Sequence, residues 1–457
     1  MDKTIQFFYE ISQIPRESGN EQKISEYLCE FAKKRNLPFE KDEYNNVIIK
    51  KKNSEKLPII LQSHMDMVCE KDIDKVIDFE TDPIEVYEEE GYLKAKGTTL
   101  GADNGIGVAQ ILNILDSNIK CNIEAIFTVS EETTMIGAQK INLSDIKSKQ
   151  MISLDGFDKN TIIIESASFF DIILEHEYDF KSIKEDNIYK IELSGLDGGH
   201  SGFDINKNRG NASIELASLL KKIDNIKLIS FTGGTKFNVI PSLAESKFSS
   251  KESEDSIKEH IINFLRDRKT KYKSISIRLE KINSKKEYEG LNNENSLNFL
   301  DTINNFKHGV YKENNKKEVT TSINLGVVDL KDRTFKIGMR SSKENEKTEC
   351  LKYIENYSLE NKLKFKILSS QPFFETDENS EFITKLKNAF EKVNNQEELN
   401  IKSVHITVEA GLFKDKIKDL QVAIISPEIQ NAHTIKECVN LESIEKCDRW
   451  LKEFLES

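Results

Sequence analysis

The sequence predicts an α/β protein in which a mostly parallel sheet with flanking helices is interrupted by an inserted α+β domain. The short apolar runs Pro58-Ile-Ile-Leu-Gln-Ser-His64, Ala125-Ile-Phe-Thr-Val-Ser130, Met151-Ile-Ser-Leu-Asp155 and Val422-Ala-Ile-Ile-Ser-Pro427 each close on a turn signal. Runs of this kind read as strands buried on both faces, the usual state of parallel strands. Helix-patterned stretches separate the first three, the pattern changes after about residue 187, and it changes back after Pro372.

In chain order, a helix is expected over 20–35, strands over 47–51 and 59–63, a glycine-rich loop leading into a helix over 104–115, and two strands ending near Ser130 and Asp155. Strands alternating with helices are the grammar of a parallel sheet covered by helices. The insert reads as strand 188–193, helix 212–223, strands 227–232 and 236–249, helix 256–268 and strand 274–282. A second round follows: helix 297–306, hairpin 322–340, helix 346–357 and strand 364–368. Two β-α-β-β-α-β-like rounds in tandem suggest a duplicated ferredoxin-like unit. Helix 380–393, the run 422–426 and a terminal helix 441–455 complete the first domain. The expected divisions are 1–186 and 372–457 for a discontinuous first domain and 187–371 for the insert.

At 457 residues the chain has ample material for two cores. A net charge of -12 and a pI near 5.4 argue against nucleic acid or an anionic membrane as partner. The start, Met1-Asp-Lys-Thr-Ile-Gln-Phe-Phe-Tyr9, lacks a basic segment followed by an apolar one, and no apolar stretch reaches the ~18 residues of a membrane span. The expected location is the cytoplasm. Cys29, Cys69, Cys121, Cys350, Cys438 and Cys447 form no CxxC pair, so neither a disulfide framework nor a thiolate metal site is indicated.

The strand ends carry the chemistry. In open α/β sheets the carboxyl ends of the strands build the site, and here they present His64 with Asp66, Glu131 with Glu132, Asp155, and, further on, His433. A carboxylate two residues from a metal-bound imidazole can accept its second N–H; the plainer alternative is a structural histidine. Gly101-Ala-Asp103-Asn-Gly-Ile-Gly107 is neither a dinucleotide fingerprint nor a Walker loop. Its glycines let the backbone approach something closely while Asp103 stands at a helix start; an Asx cap is the alternative. Adjacent Glu131 and Glu132 repel unless a cation lies nearby, with one suited to bind metal and its neighbour to take a proton from water. A solvated acidic loop is the competing reading.

Taken in order, His64-Met-Asp66-Met-Val68, Gly97-Thr-Thr-Leu-Gly-Ala-Asp103-Asn-Gly105, Glu131-Glu132 with Gly137-Ala138, Asp155-Gly156, Gly195-Leu-Asp-Gly-Gly-His200-Ser-Gly202, Asn238-Val-Ile-Pro241, Arg340-Ser-Ser342 and His433-Thr434 span nearly the whole chain. In this set the chain resembles the co-catalytic di-zinc dipeptidases, and among them most the aminoacyl-histidine (Xaa-His) group. The resemblance implies two divalent metal ions bridged by Asp103, one also held by His64 and Asp155 and the other by Glu132 and His433. Zinc is the expected metal, with manganese or cobalt as alternatives, since the donors suit all of them. It further implies that Asp66 orients His64 and that Glu131 acts as general base and then as acid to the leaving amine. His200 is implied to stabilise the tetrahedral oxyanion, Asn238 to hold the substrate backbone, and Arg340 to hold its C-terminal carboxylate through its fork of donors.

The expected catalytic domain is therefore the discontinuous one, and the insert is a lid that carries substrate-binding groups. The expected activity is metal-dependent hydrolysis of short peptides, Xaa-His or broader dipeptides. Aminotripeptidase and N-acyl amino acid hydrolase of the same fold are the nearest alternatives, and a non-catalytic binding protein is a more remote one. Either a monomer or a homodimer fits, so His200 could serve its own chain's site or a partner's. The chain departs from the pattern at Phe413 in Val408-Glu-Ala-Gly-Leu-Phe413, at Ile435, and at Gln371-Pro-Phe-Phe374; none of these touches an implied ligand.

Overall fold

The apolar runs lie side by side in a computed structural model that describes residues 2–184, 187–282, 286–394 and 397–457. Residue 186, where the first domain was expected to end, lies outside the described residues. The chain begins with α1 (Lys3–Ser12), α2 (Gln22–Lys34), β1 (Phe39–Lys41), β2 (Val47–Lys51), β3 (Ile59–His64), β4 (Val86–Glu89), β5 (Tyr92–Ala95), α3 (Ala102–Asp116), β6 (Ile123–Thr128), α4 (Ile136–Lys140), β7 (Gln150–Ser153) and β8 (Thr161–Glu165). It continues with β9 (Ser168–Glu175), β10 (Lys181–Ile183), β11 (Ile188–Ser194), β12 (Gly199–His200), α5 (Ala212–Leu220), β13 (Lys227–Gly233), β14 (Val239–Ile240), β15 (Ala244–Ser249), α6 (Glu254–Arg268), β16 (Ser276–Ile282) and β17 (Tyr288–Gly290). Then come α7 (Asn293–Asn304), β18 (Gly309–Glu313), β19 (Val319–Asp329), β20 (Thr334–Ser341), α8 (Glu344–Glu360) and β21 (Lys364–Gln371). The last part holds α9 (Glu381–Val393), β22 (Asn400–Ser403), α10 (Ala410–Lys416), β23 (Gln421–Ile424), β24 (Ile429–Gln430), β25 (Cys438–Asn440) and α11 (Leu441–Glu456).

These elements form two compact units. The first joins Met1–Ser166, Phe373–Val404 and Val408–Ser457; the second joins Ala167–Pro372 with the short segment His405–Thr407. The division thus precedes β9, earlier in the chain than the boundary expected after 186.

In the first unit an eight-stranded sheet runs β1-β2-β6-β3-β7-β23-β8-β22. Its centre is parallel, with β3 paired to β6 and β7, and β7 to β23. Alternate residues feed opposite faces. Val47, Ile49, Leu61, Ala125, Phe127 and Ile152 join one apolar cluster with α1, α2, α3 and α11, while Ile48, Ile60, Ile126, Met151 and Val422 join another with α10. Covering both faces is what makes the runs continuous rather than alternating. Helix α3 is buried along almost its whole length, in keeping with its nearly unbroken apolar sequence.

In the second unit the main sheet runs β16-β11-β15-β13-β19-β20-β9-β21, with β18 added on β19. Strands β11, β13, β15 and β16 with α5 and α6 give the ferredoxin-like order 4-1-3-2. Strands β9, β19, β20 and β21 with α7 and α8 give the same order. The two copies are nested rather than in tandem, because β9 opens the second copy before the first begins. They join edge to edge through β13 and β19. The strand expected over 236–249 is broken into β14 and β15 by Pro241, which has no N–H to give a ladder. Among the described residues, no helix is long and apolar enough to cross a membrane.

Candidate metal centre and substrate groups

The sheet order places the carboxyl ends of β6, β3, β7 and β23 next to one another. His64 is the last residue of β3, Glu131 and Glu132 follow β6, Asp155 follows β7, and His433 lies in the turn after β24. Asp103 stands at the start of α3, whose N-cap is Gly101 in the left-handed region and whose Asp103–Asn104 peptide is cis. No side chain caps this helix, so the Asp103 carboxylate is not an Asx cap. Its Oδ1 lies 3.1 Å from His64 Nε2 and its Oδ2 3.1 Å from His433 Nε2. Asp155 Oδ1 is 3.6 Å from the same His64 nitrogen, and Glu132 Oε1 is 2.8 Å from the same His433 nitrogen.

Donor atoms of His64, Asp103 and Asp155 lie within 4.8 Å of one another, as do those of Asp103, Glu132 and His433, and those of His64, Glu131 and Glu132. Asp103 is common to the first two groups, one carboxylate oxygen facing each. The protonation pattern tells the same story. Burial pulls His64 down, but the carboxylates of Asp103, Asp155 and Asp66 outweigh it and hold the imidazole well above its usual range. Hydrogen bonds to Asp103 and Glu132 raise His433 to about 10. Burial works to raise Asp103, yet its bonds to His433 and His64 leave it lowered. Glu131 is pushed well above the carboxylate range by burial and then by Asp155; Glu132 is raised by burial against the opposing bond to His433. Protons here hold together buried carboxylates that a cation would hold instead, and metal binding to such donors releases protons. The nitrogen and oxygen donor set therefore fits a pair of divalent ions.

Asp66 ties the cluster together. It is fully buried, its Oδ1 lies 3.3 Å from His64 Nδ1, and its two oxygens accept the backbone N–H groups of Glu131 and Glu132 at 3.1 and 3.3 Å. Ser18 adds a further bond at 2.8 Å. Sequence reasoning missed three supporting groups. Buried Glu437 accepts the N–H groups of Leu100, Gly101 and Asp103 at 2.8, 2.8 and 3.1 Å, fixing the loop that presents Asp103. Buried Arg16 donates to the carbonyls of Met65, Asp66 and Gly101. A Cβ on Gly101 would lie 2.4 Å from Arg16 Nη2, so what the backbone approaches closely is this arginine. Glu409 accepts from Gln62 and Thr128, each at 2.6 Å, and burial pushes its carboxyl up to about 8. Four residues on, Phe413 is wholly buried in the apolar cluster beneath the sheet. As single acids or a single arginine in a chain rich in charge, the three supporting groups carry no sequence signal.

In the second unit, the β12–β14 pairing sets His200 opposite Val239, next to Asn238, whose carbonyl accepts the Ser201 N–H at 2.8 Å. Arg340, on β20, is buried; its Nη2 lies 3.5 Å from His200 Nε2 and its guanidinium stacks 4.4 Å from the Phe169 ring centre. Burial and then the Arg340 charge lower His200 to about 4, so the ring is neutral. Its Nδ1 accepts the Gly202 N–H at 3.2 Å. Both ring nitrogens thus face donors, Nδ1 the Gly202 N–H and Nε2 the Arg340 guanidinium.

A doubly covered α/β sheet with a carboxylate bridging two histidine-bearing groups at its strand ends defines a metallohydrolase. The chain belongs to peptidase family M20/M25/M40, whose profile matches residues 60–457; it is a peptidase. It is 29% identical to the cytosol non-specific dipeptidase of Escherichia coli K12, over 96% of this chain and 93% of that protein. The crystal structure of aminoacylhistidine dipeptidase from Vibrio alginolyticus superposes with a TM-score of 0.87 at 26% identity, covering 99% of this chain and 96% of that one. Aminopeptidase PepT from Bacillus cereus shares the fold, with a TM-score of 0.54 at 14% identity over 99% and 97% of the two chains.

Proposed function

We propose that this peptidase is a metal-dependent dipeptidase that hydrolyses short peptides with a free C-terminus, of the Xaa-His type or more broadly. The observation that carries the reading is Asp103, whose two carboxylate oxygens each sit 3.1 Å from a different histidine, between two separate donor groups. Two of the relatives named above support the choice of dipeptides; one is named an aminoacylhistidine dipeptidase and the other a non-specific dipeptidase. By the same E. coli relative, the protein works in the cytoplasm.

In this reading His64, Asp103 and Asp155 hold one ion and Asp103, Glu132 and His433 the other, and zinc is the metal. Bound divalent ions supply polarisation of the peptide carbonyl and acidification of water. Glu131 has a carboxyl raised by burial and Asp155. It takes the proton of the attacking water and returns it to the leaving amine, as a general base and then an acid. Asp66 fixes the tautomer of His64 and the backbone of both glutamates. The second unit is the substrate-binding lid. His200 donates to the oxyanion; Asn238 holds the peptide backbone; Arg340 pairs with the C-terminal carboxylate.

Dialysis against a chelator tests the reading. Hydrolysis of dipeptides should disappear, and zinc, manganese or cobalt should restore it with about two ions bound per chain. Full activity in protein shown by elemental analysis to be metal-free would sink it. Turnover should be highest on dipeptides; preference for a tripeptide or an N-acetyl amino acid would move the chain to a neighbouring activity.

A further inference from the structure

Arg340 is 4% exposed, and among the described residues no carboxylate lies within ion-pair distance of it. Its polar contacts are long and neutral: Nε to Ser201 Oγ at 3.3 Å, Nη1 to Thr407 Oγ1 at 3.3 Å and Nη2 to His200 Nε2 at 3.5 Å. A buried guanidinium without an anion is costly, so the surroundings are built for an anion that arrives. The segment His405–Thr407 belongs to this unit although it comes from a distant part of the chain. It is strapped down at three points. Ile406 O accepts the Ala167 N–H at 2.9 Å, Thr407 meets Arg340, and His405 Nε2 lies 2.7 Å from Ser322 Oγ. Ser322 is the cross-strand partner of Arg340, which sets the imidazole and the guanidinium side by side. Gly202 is required beneath the strap, since a Cβ there would lie 2.7 Å from Ile406 Cγ2 and 2.8 Å from His405 O.

His405 Nδ1 is buried and, among the described residues, has no hydrogen-bond partner. An orphaned buried polar atom is costly unless something fills its place. Burial and the charge of Arg340 keep the ring neutral, its pKa pushed down to about 3. When the Ser322 hydroxyl donates to Nε2, the one ring proton sits on Nδ1. The site then holds one donor without an acceptor, His405 Nδ1–H, beside an Arg340 fork whose acceptors are neutral hydroxyls.

We infer that His405 is a further substrate-binding residue, its Nδ1–H donating to the same C-terminal carboxylate that Arg340 pairs with, and that Ser322 sets its tautomer. This rests on the reading of Arg340 given above. A carboxylate takes several hydrogen bonds, and a planar fork plus one lateral N–H satisfies both oxygens. A C-terminal amide offers the site one oxygen and a second set of donors, so His405 also sharpens the choice of free acid over amide.

The test uses the metal-loaded enzyme and four variants: His405→Asn, whose amide N–H can stand where Nδ1–H stood; His405→Gln, whose amide reaches toward Ser322 instead; His405→Ala; and Arg340→Ala. For each, kcat and KM are measured on a dipeptide and on its C-terminal amide. His405→Ala and His405→Gln should raise KM for the free acid about 10- to 100-fold, the usual weight of a hydrogen bond to a charged group. The amide should be little affected, and His405→Asn should recover most of the loss. Equal losses on acid and amide, or no rescue by Asn over Gln, would overturn the proposal in favour of a packing role. Should His405→Ala fail to fold, the Asn and Gln pair still decides. If Arg340→Ala leaves the acid-to-amide ratio unchanged, the carboxylate reading itself fails. If that ratio collapses in Arg340→Ala but survives in every His405 variant, only the His405 inference falls.

Discussion

At the scale of single residues, the neighbours Glu131 and Glu132 are told apart by what they touch. Glu132 reaches the His433 nitrogen at 2.8 Å, whereas Glu131, half-buried, has its carboxyl raised by desolvation and by the charge of Asp155. Glu131→Gln keeps shape and removes the proton acceptor, so kcat should fall by roughly two to four powers of ten with metal content near normal. Loss of metal in that variant would make Glu131 a ligand and reverse the pair. Glu132→Gln should instead cost one ion, and Asp103→Asn, which leaves a single carboxyl-type oxygen, should weaken both. Most ligand candidates could be picked from the sequence because His64, Glu132 and Asp155 follow apolar runs and Asp103 opens the buried helix; His433, in a turn six residues past Pro427, stood out by its place in the ordered motif set. Arg16, Glu437 and Glu409 could not, since their role comes from the carbonyls and N–H groups they meet across the fold.

At the scale of elements, α1, α3 and α11 meet around one buried carboxylate. Asp448 on α11 accepts from Thr4 on α1 and from Gln110 and Asn113 on α3, and burial raises it to about 6. Asp448→Ala leaves those three donors buried without their acceptor and should lower stability by on the order of 3 kcal/mol. Denaturant unfolding at neutral pH measures it; a loss below about 1 kcal/mol would show that the network is dispensable. Because the folded pKa exceeds the usual unfolded value near 4, the native state holds the extra proton between about 4 and 6. The stability this proton brings is complete below that window and is lost as pH rises through it. Helix α1 had readable signals, an Asp2 cap on the Thr4 N–H and Phe7, Phe8 and Ile11 on one face, but so short a segment is weak until α3 is there to cover it. The nested lid was hidden for another reason: β9 alternates as any antiparallel strand does, and only its pairing with β20 and β21 assigns it to the second copy.

At the scale of the whole molecule, the two units carry opposite responses to acid. In the second, burial holds four imidazoles neutral: His176, packed on Tyr178 and Phe299, His200 and His308, all at about 4, and His405 at about 3. An unfolded histidine takes its proton near 6.5. As pH falls from 6.5 toward 4, the unfolded second unit binds protons that the native unit refuses, so its stability drops. Each such histidine contributes up to about 1.4 kcal/mol per pH unit. In the first unit the signs reverse, because Asp448, His64 and His433 all have raised pKa values and hold protons more tightly when folded. The chain's single tryptophan, Trp450, lies in the first unit, its ring packed on Phe390 and its N–H bonded to Leu386 O. Tryptophan fluorescence therefore reports the first unit, while far-UV circular dichroism reports both. In chelator-treated protein, which removes metal release from the titration, lowering the pH from 6.5 to 4.5 should move part of the dichroism transition to lower denaturant ahead of the fluorescence transition. His176→Phe with His308→Asn should shrink that gap, since neither replacement titrates. Coincident transitions that shift together at every pH would show that the buried histidines do not set the acid stability of the second unit.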